Sequence, residues 1–393
     1  MIKVGLLSTE FLPVWGGVAS YCINLCKALS KNVELHVFTT SRKLEGALLD
    51  KDALKIIDDV MIHSISPASD VFFSSFRYQW AITKKLPSLI NENKLDLVHS
   101  AGPLADQMIR IIGNKIPYLV TYHTTLFGQK NGVISSGVGF SDLDSSERFT
   151  LMLYPFLRLY ESLSLLRTRR IIAVSKAVKE ELIKHYSFKG IVNVIPNGID
   201  VEMFKPDKKK KDNRKRVIFS GRLVAIKGPQ LVIEAIPYVL RNHRDTIFTF
   251  IGAGNKEPYE RMLREKGISK NNYEFYYSEY PNMPKFYNSG DILVLPSLLE
   301  SFPMSIIEAM ACGLPVVASD VGDVAELIKD GKTGYLIRKG DYQALAEKIN
   351  QILGDEKLQR NMGQNARNLI ERRFSLNIMG QKTFKVYQEI LEA

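Results

Sequence analysis

The alternation of short apolar runs with amphipathic stretches constrains the fold of this chain more than any other feature. The run KVGLLS comes first, and a helical spacing of apolar residues, including Tyr21, Leu25 and Leu29, begins after the pair Gly16-Gly17. The same order recurs with the runs VELHVFT, LDLVHS, PYLVTYH, RRIIAVS and VNVIPNG. Strands that alternate with helices form a parallel sheet with helices on both faces. The first half of the chain is therefore predicted to be an α/β domain.

The same pattern restarts after a strongly basic segment, KPDKKKKDNRKR, at residues 205–216. The run RVIFSG opens the second series, which continues with TIFTFIG, NYEFYY, DILVLPS, PVVASD and TGYLI. Because 393 residues exceed one ordinary core, two domains of roughly 200 residues each are expected. The predicted division is residues 1–200 and 201–375, each with a parallel sheet, followed by a helix at residues 376–393.

The basic segment also carries much of the charge of the chain. The formal net charge is +11, and eight basic and two acidic residues of the segment contribute +6 of it. Because no aromatic residue interrupts the segment, a solvated linker is favoured over a nucleic-acid groove. No nucleic-acid partner is expected.

Cysteine usage and the N-terminus bear on the compartment. The three cysteines, Cys22, Cys26 and Cys312, have no metal-ligand spacing with the six histidines, which indicates a reducing compartment and no metal site. The N-terminal apolar run breaks after Leu7 and is too short for a signal peptide or a membrane span. A cytoplasmic location is therefore expected.

Several residues capable of binding ligands follow predicted strands, where open parallel sheets bind their ligands. They are Gly16, Gly17, His123, Arg222, Lys227, Gly252, Gly254 and Glu300. In the segment SGRLVAIKGP, Arg222 offers a guanidinium fork and Lys227 an ammonium charge, a pair that suits a diphosphate without a metal. Two solvated cations on a surface loop are the alternative for this pair.

The segment LESFPMSIIEAMACG places Glu300 and Glu308 on either side of a predicted helix start. Pro303 suits the first turn, so the amides of Met304 and Ser305 are expected to be available for a phosphate. Both carboxylates can accept hydrogen bonds from the hydroxyl pairs of a sugar. In the alternative interpretation, Glu308 caps the helix and Glu300 is exposed.

Two segments leave their role open. Residues 128–146, GQKNGVISSGVGFSDLDSS, are predicted to be an irregular loop, either functional or a surface insertion. Residues 71–86, VFFSSFRYQWAITKKL, mix aromatic and basic residues, and RTRR at 167–170 is basic. An interfacial helix on an anionic membrane and core packing of the same helix are both compatible with residues 71–86.

The sequence gives little support for other kinds of nucleotide site or for a metal site. The first strand–helix turn lacks both a complete G-x-G-x-x-G and an acidic residue some twenty positions on, which argues against a dinucleotide-dependent dehydrogenase. Gly252-Ala-Gly254 lacks the third glycine, and no P-loop occurs. Asp142 and Asp144 form an Asp-x-Asp within the glycine-rich segment rather than at a strand end, so metal binding there is not expected.

Taken together, these segments resemble the retaining glycosyltransferases of family four. The similarity includes FLPVWGGVASYCINLCKAL, AVSKAVKEEL, VIPNGID, SGRLVAIKG and the block that runs from DILVLPS through LESFPMSIIEAMACG to TGYLI. The resemblance implies the GT-B fold, in which two Rossmann-like domains face each other across a cleft. It implies an acceptor-binding first domain, a second domain that binds the nucleotide sugar, and a C-terminal helix that crosses back to the first domain.

The same resemblance implies roles for individual residues. Arg222 and Lys227 would bind the donor diphosphate, Glu308 the ribose and Glu300 the transferred sugar, while His123 would line the sugar and acceptor side. The implied catalytic residues are His123, Arg222, Lys227 and Glu300. The implied donor-binding residues are Gly16, Gly17, Gly221, Arg222, Lys227, Gly252, Ser278, Ser301, Phe302, Met304, Ser305 and Glu308.

The implied activity is retaining, metal-independent transfer of a hexose to a hydroxyl of a glycan, lipid or small molecule. The donor would be a nucleotide-diphosphate sugar, UDP- or GDP-linked, and no further cofactor is expected. The enzyme would act in the cytoplasm or at the inner face of a membrane. The alternatives on this fold are a nucleotide-sugar epimerase, a phosphorylase or a non-catalytic sugar-nucleotide binder.

Overall fold

The computed structural model describes residues 1–12, 16–41, 60–67, 74–112, 116–135, 137–140, 143, 145–207 and 214–393. Contacts divide the chain into two compact units. Unit 1 consists of Met1–Lys130, Phe149–Gly198 and Leu376–Ala393, and unit 2 of Asn131–Arg148 and Ile199–Ser375. The prediction of a solvated linker falls mainly on residues 208–213, which lie outside the described residues.

Unit 1 is built on a parallel sheet in the order β3-β2-β1-β4-β5-β6-β7. The strands are β1 (Ile2–Leu7), β2 (Val33–Ser41), β3 (Val60–Pro67), β4 (Leu97–Ser100), β5 (Tyr118–Tyr122), β6 (Arg170–Ala173) and β7 (Ile191–Val194). The strand order reverses between β1 and β4, which is where such sheets offer a ligand crevice.

Unit 2 is built on a second parallel sheet, in the order β10-β9-β8-β11-β12-β13. Its strands are β8 (Arg216–Ser220), β9 (Ile247–Ile251), β10 (Tyr273–Tyr276), β11 (Ile292–Leu295), β12 (Val316–Ser319) and β13 (Gly334–Ile337). The corresponding reversal lies between β8 and β11. Two Rossmann-like parallel sheets confirm the predicted α/β class.

Helices connect the strands in both sheets. Before residue 200 they are Gly17–Leu29, Ser74–Asn93, Gln107–Ile112, Leu126–Ser135, Ser145–Met152, Tyr154–Leu166 and Lys176–Tyr186. After residue 200 they are Pro229–Asn242, Glu257–Glu265, Met283–Ser289, Met304–Ala311, Val324–Leu327, Tyr342–Gly354, Glu356–Arg373 and Leu376–Leu391. Three-residue 3₁₀ helices occur at Pro103–Ala105, Ala225–Lys227, Lys270–Asn272 and Tyr280–Asn282. Within the described residues, none of these helices is both long enough and apolar enough to cross a bilayer.

The last helix, Leu376–Leu391, packs in unit 1 against helix Gly17–Leu29. A Cβ atom at Gly380 would lie 2.7 Å from the Ala28 carbonyl oxygen, so glycine permits the close approach of the two helices. Inside the core, His99 Nδ1 is 2.7 Å from the Tyr387 hydroxyl, and His99 Nε2 is 2.8 Å from Thr121 Oγ1. Burial lowers the pKa of His99 to about 3, so the ring is neutral when it makes these hydrogen bonds.

The secondary structure predicted from the sequence differs from that of the structure at two places. Strand β3 was not predicted, because it lies at the sheet edge and most of its residues are at least partly exposed. The prediction of an irregular loop over residues 128–146 is wrong at both ends, where helices Leu126–Ser135 and Ser145–Met152 extend into it. Gly128 lies inside the first of these helices, where a Cβ would be 2.5 Å from a Glu181 carboxylate oxygen.

The helix predicted from residues 71–86 begins at Ser74, and residues 71–73 lie outside the described part of the chain. Tyr78, Ile82 and Leu86 are buried in the core beneath it. Core packing therefore accounts for the apolar side of this helix. Trp80 remains on the outer side, where the Lys84 ammonium lies 4.3 Å from its ring centre.

Candidate active site

The loops that follow β8 and β11 lie side by side in unit 2, at the reversal of strand order. The Leu298 amide donates to the Ile226 carbonyl oxygen at 2.7 Å and joins the two loops. Gly228 has φ of +79°, and a Cβ there would collide with the carbonyl oxygen of Pro296. Only glycine fits this position, because both the backbone conformation and the neighbouring strand end exclude a side chain. The two loops are therefore held in a fixed position relative to each other.

Lys227 and Glu300 form an ion pair between these two loops. The Lys227 Nζ atom is 2.7 Å from Glu300 Oε1, and the Ser297 hydroxyl donates to the same oxygen at 2.8 Å. The side chains are 23% and 8% exposed, respectively, so the carboxylate is buried while the ammonium still reaches solvent. The interpretation of Glu300 as an exposed residue is wrong. Partial burial strengthens this pair relative to a surface ion pair.

The backbone around Glu300 is fixed by the loop that follows β12. Gly322 has φ of +56°, and a Cβ there would collide with the Glu300 carbonyl oxygen. The Asp323 amide also donates to the Ser301 carbonyl oxygen at 3.3 Å. The Phe302 ring is buried and lies 5.6 Å from that of Phe374. The positions of Glu300 and Ser301 are thus set by packing before any ligand binds.

The helix Met304–Ala311 begins directly after Pro303 and points its N-terminus toward this loop. It has no side-chain cap and no acidic residue in its first turn. The first amides of a helix lack intrahelical acceptors, and the helix dipole makes them favourable for an anion. Ser305 is half-buried, whereas Met304 is buried. This end of the helix offers the backbone groups that a phosphate requires.

Glu308 lies in the same helix and is buried, but its contacts are not those of a cap. The Tyr287 hydroxyl donates to Glu308 Oε2 at 2.7 Å and lies 2.9 Å from Ser220 Oγ, at the end of β8. Burial raises the pKa of Tyr287, so the phenol stays protonated and can donate. Burial also raises the pKa of Glu308 to about 7.

The raised pKa of Glu308 predicts a specific pH dependence of stability. Folding raises this pKa from 4.5 to about 7, so in that range the folded state binds more protons than the unfolded state. The free energy of unfolding therefore decreases as pH rises through this window. Glu308→Gln removes this titration, so its free energy of unfolding should not fall in the same way. The free energy of unfolding of the variant minus that of wild type should increase by at least ~1 kcal/mol as the pH rises from 5 to 7.5. Thermal unfolding at several pH values measures the difference.

The control for this experiment is Glu356→Gln, which replaces a largely exposed glutamate of the same unit. Its melting temperature should follow that of wild type across the same pH range. Parallel pH curves for Glu308→Gln and wild type would contradict the assignment of a buried, partly protonated carboxyl.

Gly221 and Arg222 follow β8, next to the loop after β9. The Gly221 amide donates to the Ile251 carbonyl oxygen at 2.9 Å, and a Cβ at Gly252 would collide with the Gly221 carbonyl oxygen. The Arg222 side chain is exposed. Ser278, beyond the end of β10, is half-buried, and its hydroxyl donates to the Glu279 carbonyl oxygen at 3.2 Å. Close backbone packing thus brings the ends of β8, β9 and β10 together.

The remaining predicted residues lie in unit 1. Helix Gly17–Leu29 starts after Gly16, and among the described residues no atom outside the helix backbone and the chain neighbours lies within 4 Å of a Cβ built at Gly17. The Tyr21 ring packs edge-on against His123 with centroids 4.6 Å apart. His123 Nε2 is 2.9 Å from the Ala101 carbonyl oxygen, and burial lowers the pKa of His123 to about 4. The ring is therefore neutral near pH 7, and Nε2 donates to this carbonyl.

Metal ligands were also sought in the structure. Among the residues that the structure describes, no three His, Cys, Asp or Glu side chains are placed to hold a metal ion. Asp142 and Asp144 lie outside the described residues.

Four residues that position the site were not identified from the sequence. Ser297 could have been noticed because it lies two residues after the end of β11. Tyr287 contacts Glu308, and Ser220 contacts Tyr287, only because the fold brings them together. Arg367 donates to the Ala311 carbonyl oxygen at 2.7 Å and to that of Phe204, which holds the C-terminal end of the Glu308 helix. No local pattern marks contacts between residues this far apart in sequence.

Two family models match the chain in tandem. "Glycosyltransferase Family 4" matches residues 15–203, and "Glycosyl transferases group 1" matches residues 200–369. The chain belongs to glycosyltransferase family 4. The family assignment and the enzyme class inferred from the sequence are therefore confirmed.

Relatives of this glycosyltransferase extend over its full length. An uncharacterized glycosyltransferase of Methanocaldococcus jannaschii is 27% identical over 415 residues, covering 100% of this chain and 99% of the relative. The capsular polysaccharide biosynthesis glycosyltransferase CapM of Staphylococcus aureus is 24% identical, covering 92% and 91%.

Solved structures support the fold of the glycosyltransferase. Sucrose-phosphate synthase of Thermosynechococcus elongatus is similar with a TM-score of 0.82 at 19% identity, covering 100% of both chains. HepE of Anabaena, solved with UDP-glucose, has a TM-score of 0.74 at 20% identity, covering 99% of this chain and 100% of HepE. The predicted GT-B architecture of two Rossmann-like domains is confirmed.

Proposed function

We propose that this glycosyltransferase catalyses the retaining, metal-independent transfer of a hexose from a nucleotide-diphosphate sugar to an acceptor hydroxyl. The observation that carries the proposal is the Lys227–Glu300 pair, with Nζ and Oε1 2.7 Å apart, at the reversal of strand order in unit 2. The uncapped N-terminus of helix Met304–Ala311 follows Glu300 by four residues. Cation, carboxylate and backbone donors thus occur together, as a charged sugar donor requires.

The positive groups would act on the leaving diphosphate. Negative charge builds on the diphosphate as its bond to the anomeric carbon breaks, and donors fixed in advance stabilise that charge most effectively. Lys227 is already held by Glu300, so little reorganisation is needed at the moment of reaction. Exposed Arg222 would add a guanidinium fork, and the amides of Met304 and Ser305 would bind phosphate oxygens. In this proposal, these protein groups replace a metal.

The two carboxylates would bind sugar hydroxyls. Tyr287 occupies Oε2 of Glu308, so the carboxylate is anchored and would present its other oxygen to the ribose. Glu300, together with the backbone of Ser301 and Phe302, would face the transferred sugar. The nucleobase would lie near Gly252 and Ser278. In this assignment Glu308 contributes to donor binding, and Glu300 contributes to binding and to electrostatic stabilisation.

Retention would follow from reaction on one face of the sugar. The bond between the anomeric carbon and the diphosphate oxygen breaks, and the acceptor oxygen bonds to the same face of that carbon. The acceptor proton passes to the departing diphosphate oxygen. We assign acceptor binding to unit 1, where His123 would line the acceptor side as a neutral ring and Gly16-Gly17 would approach the phosphate.

The named activities of relatives guide the choice of donor. An Escherichia coli relative that is 25% identical over 304 residues, 74% of each chain, is named UDP-Gal:alpha-D-GlcNAc-diphosphoundecaprenol alpha-1,3-galactosyltransferase. This supports UDP-sugars as the first donors to test, with GDP-sugars next. It also supports a glycan or lipid-linked acceptor.

A screen of UDP-, GDP- and ADP-sugars tests the proposed function. One donor class should raise the melting temperature of the wild-type chain, since a ligand at 100 times its Kd stabilises by about 2.7 kcal/mol. With that donor, release of nucleoside diphosphate should depend on an acceptor alcohol. The product should keep the anomeric configuration of the donor by proton NMR, and EDTA should leave the rate unchanged.

Other outcomes of the screen distinguish the alternatives. Interconversion of nucleotide sugars without an acceptor would indicate an epimerase, and turnover that requires inorganic phosphate would indicate a phosphorylase. Stabilisation with no turnover against any acceptor would indicate a sugar-nucleotide binder. Loss of rate in EDTA that added metal restores would contradict metal independence.

A further inference from the structure

An exposed apolar stripe runs along helix Tyr154–Leu166 in unit 1. It consists of Phe156, Leu159, Leu163 and Leu166 of this helix, with Met152 at the end of the preceding helix, and all five are between 43% and 81% exposed. The spacing of three and four residues places the four residues of the helix on one face. The opposite face is the one that packs, with Leu157, Glu161, Ser164 and Leu165 buried. Single exposed apolar residues are ordinary, but four aligned on one helix face mark an interaction surface.

Positive charge predominates in the chain segment that carries this apolar stripe. Residues 149–170 contain four arginines, of which Arg170 pairs with Glu389, and the single carboxylate of the segment, Glu161, is 1% exposed. Arg167 and Arg169 are exposed just beyond the C-terminal end of the stripe. A partner for this surface should therefore offer an apolar layer bordered by negative charge.

The neighbouring helix, Ser74–Asn93, extends the positive surface. The Tyr160 hydroxyl donates to Gln79 Oε1 at 3.1 Å and joins the two helices. This helix contains three basic residues, Arg77, Lys84 and Lys85, and a single carboxylate, Glu92, in its last turn. Trp80 and Arg77 are exposed on this helix, and Lys84 lies over the Trp80 ring. Tryptophan beside basic residues is characteristic of a surface at a membrane–water boundary.

We propose that unit 1 binds the surface of an anionic membrane, with helix Tyr154–Leu166 lying in the plane of the interface. The apolar stripe would enter the boundary of the acyl chains, and the flanking arginines and lysines would contact anionic headgroups. A second copy of the chain fits less well, because a two-fold contact through this face would bring the basic borders of both copies together. The inference does not rest on the proposed sugar transfer.

Vesicle flotation of the full chain without donor tests this inference. Wild type should float with vesicles of phosphatidylcholine and phosphatidylglycerol at low salt, and both high salt and pure phosphatidylcholine should reduce the bound fraction. Phe156→Gln/Leu159→Gln/Leu163→Gln should bind at least about tenfold more weakly. The matched control, Ile62→Gln/Ile191→Gln/Leu391→Gln, replaces three exposed apolar residues on other elements of unit 1 and should bind like wild type.

A second variant tests the arginines beyond the C-terminal end of the stripe. Its result remains informative even if the triple stripe variant does not fold. Arg167→Gln/Arg169→Gln should weaken binding to the anionic vesicles and reduce its dependence on salt. Absence of wild-type binding at low salt, or equal binding by wild type and the triple stripe variant, would overturn the inference. The inference would also be overturned if wild type did not bind vesicles and light scattering showed that wild type is a dimer and the triple stripe variant a monomer.

Discussion

Replacing Lys227 with alanine is expected to lower kcat for sugar transfer at least about 100-fold. Two effects act in the same direction. The variant loses the ammonium that we assign to the leaving diphosphate, and it leaves the Glu300 carboxylate, 8% exposed, without its cation. The negative charge of Glu300 would then repel the departing diphosphate at the place where a positive charge is needed. Steady-state rates with saturating donor and acceptor measure the change.

Lys266→Ala is the matched control for this variant. Its ammonium also lies 2.7 Å from a carboxylate, that of Glu234, in the same unit, but both side chains are about one third exposed. An exposed ion pair of this kind contributes little to the free energy of unfolding, so its loss should change kcat less than about twofold. Near-normal turnover by Lys227→Ala, or an equal loss in both variants, would contradict the assignment of Lys227 to the diphosphate.

Replacing Glu308 with alanine should lower kcat/KM for the donor at least about tenfold, mainly through KM. Glu308 is assigned to the ribose, which is bound similarly before and during transfer, so its loss weakens donor binding more than the chemical step. The truncation also removes the acceptor of the buried Tyr287 hydroxyl. Initial rates over a range of donor concentrations separate KM from kcat.

Glu308→Gln distinguishes binding from structure in this experiment. Its amide oxygen can still accept from Tyr287 and from one ribose hydroxyl, so KM should lie between those of wild type and Glu308→Ala. Glu234→Ala, which removes a carboxylate from the same unit outside the candidate site, should leave KM unchanged. A wild-type donor KM in Glu308→Ala would exclude the ribose assignment.

The sequence predicted the fold best where strands are buried on both faces. The run RVIFSG corresponds to β8, and DILVLPS to β11, with ends displaced by at most two residues. Buried parallel strands read as continuous apolar runs, which local patterns detect. Strand β3 was missed because an exposed edge strand lacks that pattern. The helix Leu126–Ser135 was missed because its glycines suggested a loop, although glycine lowers helix propensity without excluding a helix.

The candidate site was only partly accessible from the sequence. Lys227 and Glu300 stood out because both follow strand ends, and the structure brings them into contact. The residues that position the site did not stand out. Tyr287 contacts Glu308 from another helix, and Gly322 packs against the Glu300 carbonyl oxygen from another loop. Such contacts depend on the order of strands in the sheet, which local spacing does not encode. The roles of Gly17 and His123 stay predictions.

A crystal structure of the chain with the nucleoside diphosphate of its preferred donor would test the site most directly. The account predicts diphosphate oxygens within hydrogen-bond distance of Lys227 Nζ and of the amides of Met304 and Ser305, with a ribose hydroxyl on the Glu308 carboxylate. A diphosphate bound elsewhere in unit 2, with the Lys227–Glu300 pair undisturbed and Glu308 in contact with Tyr287 alone, would contradict it.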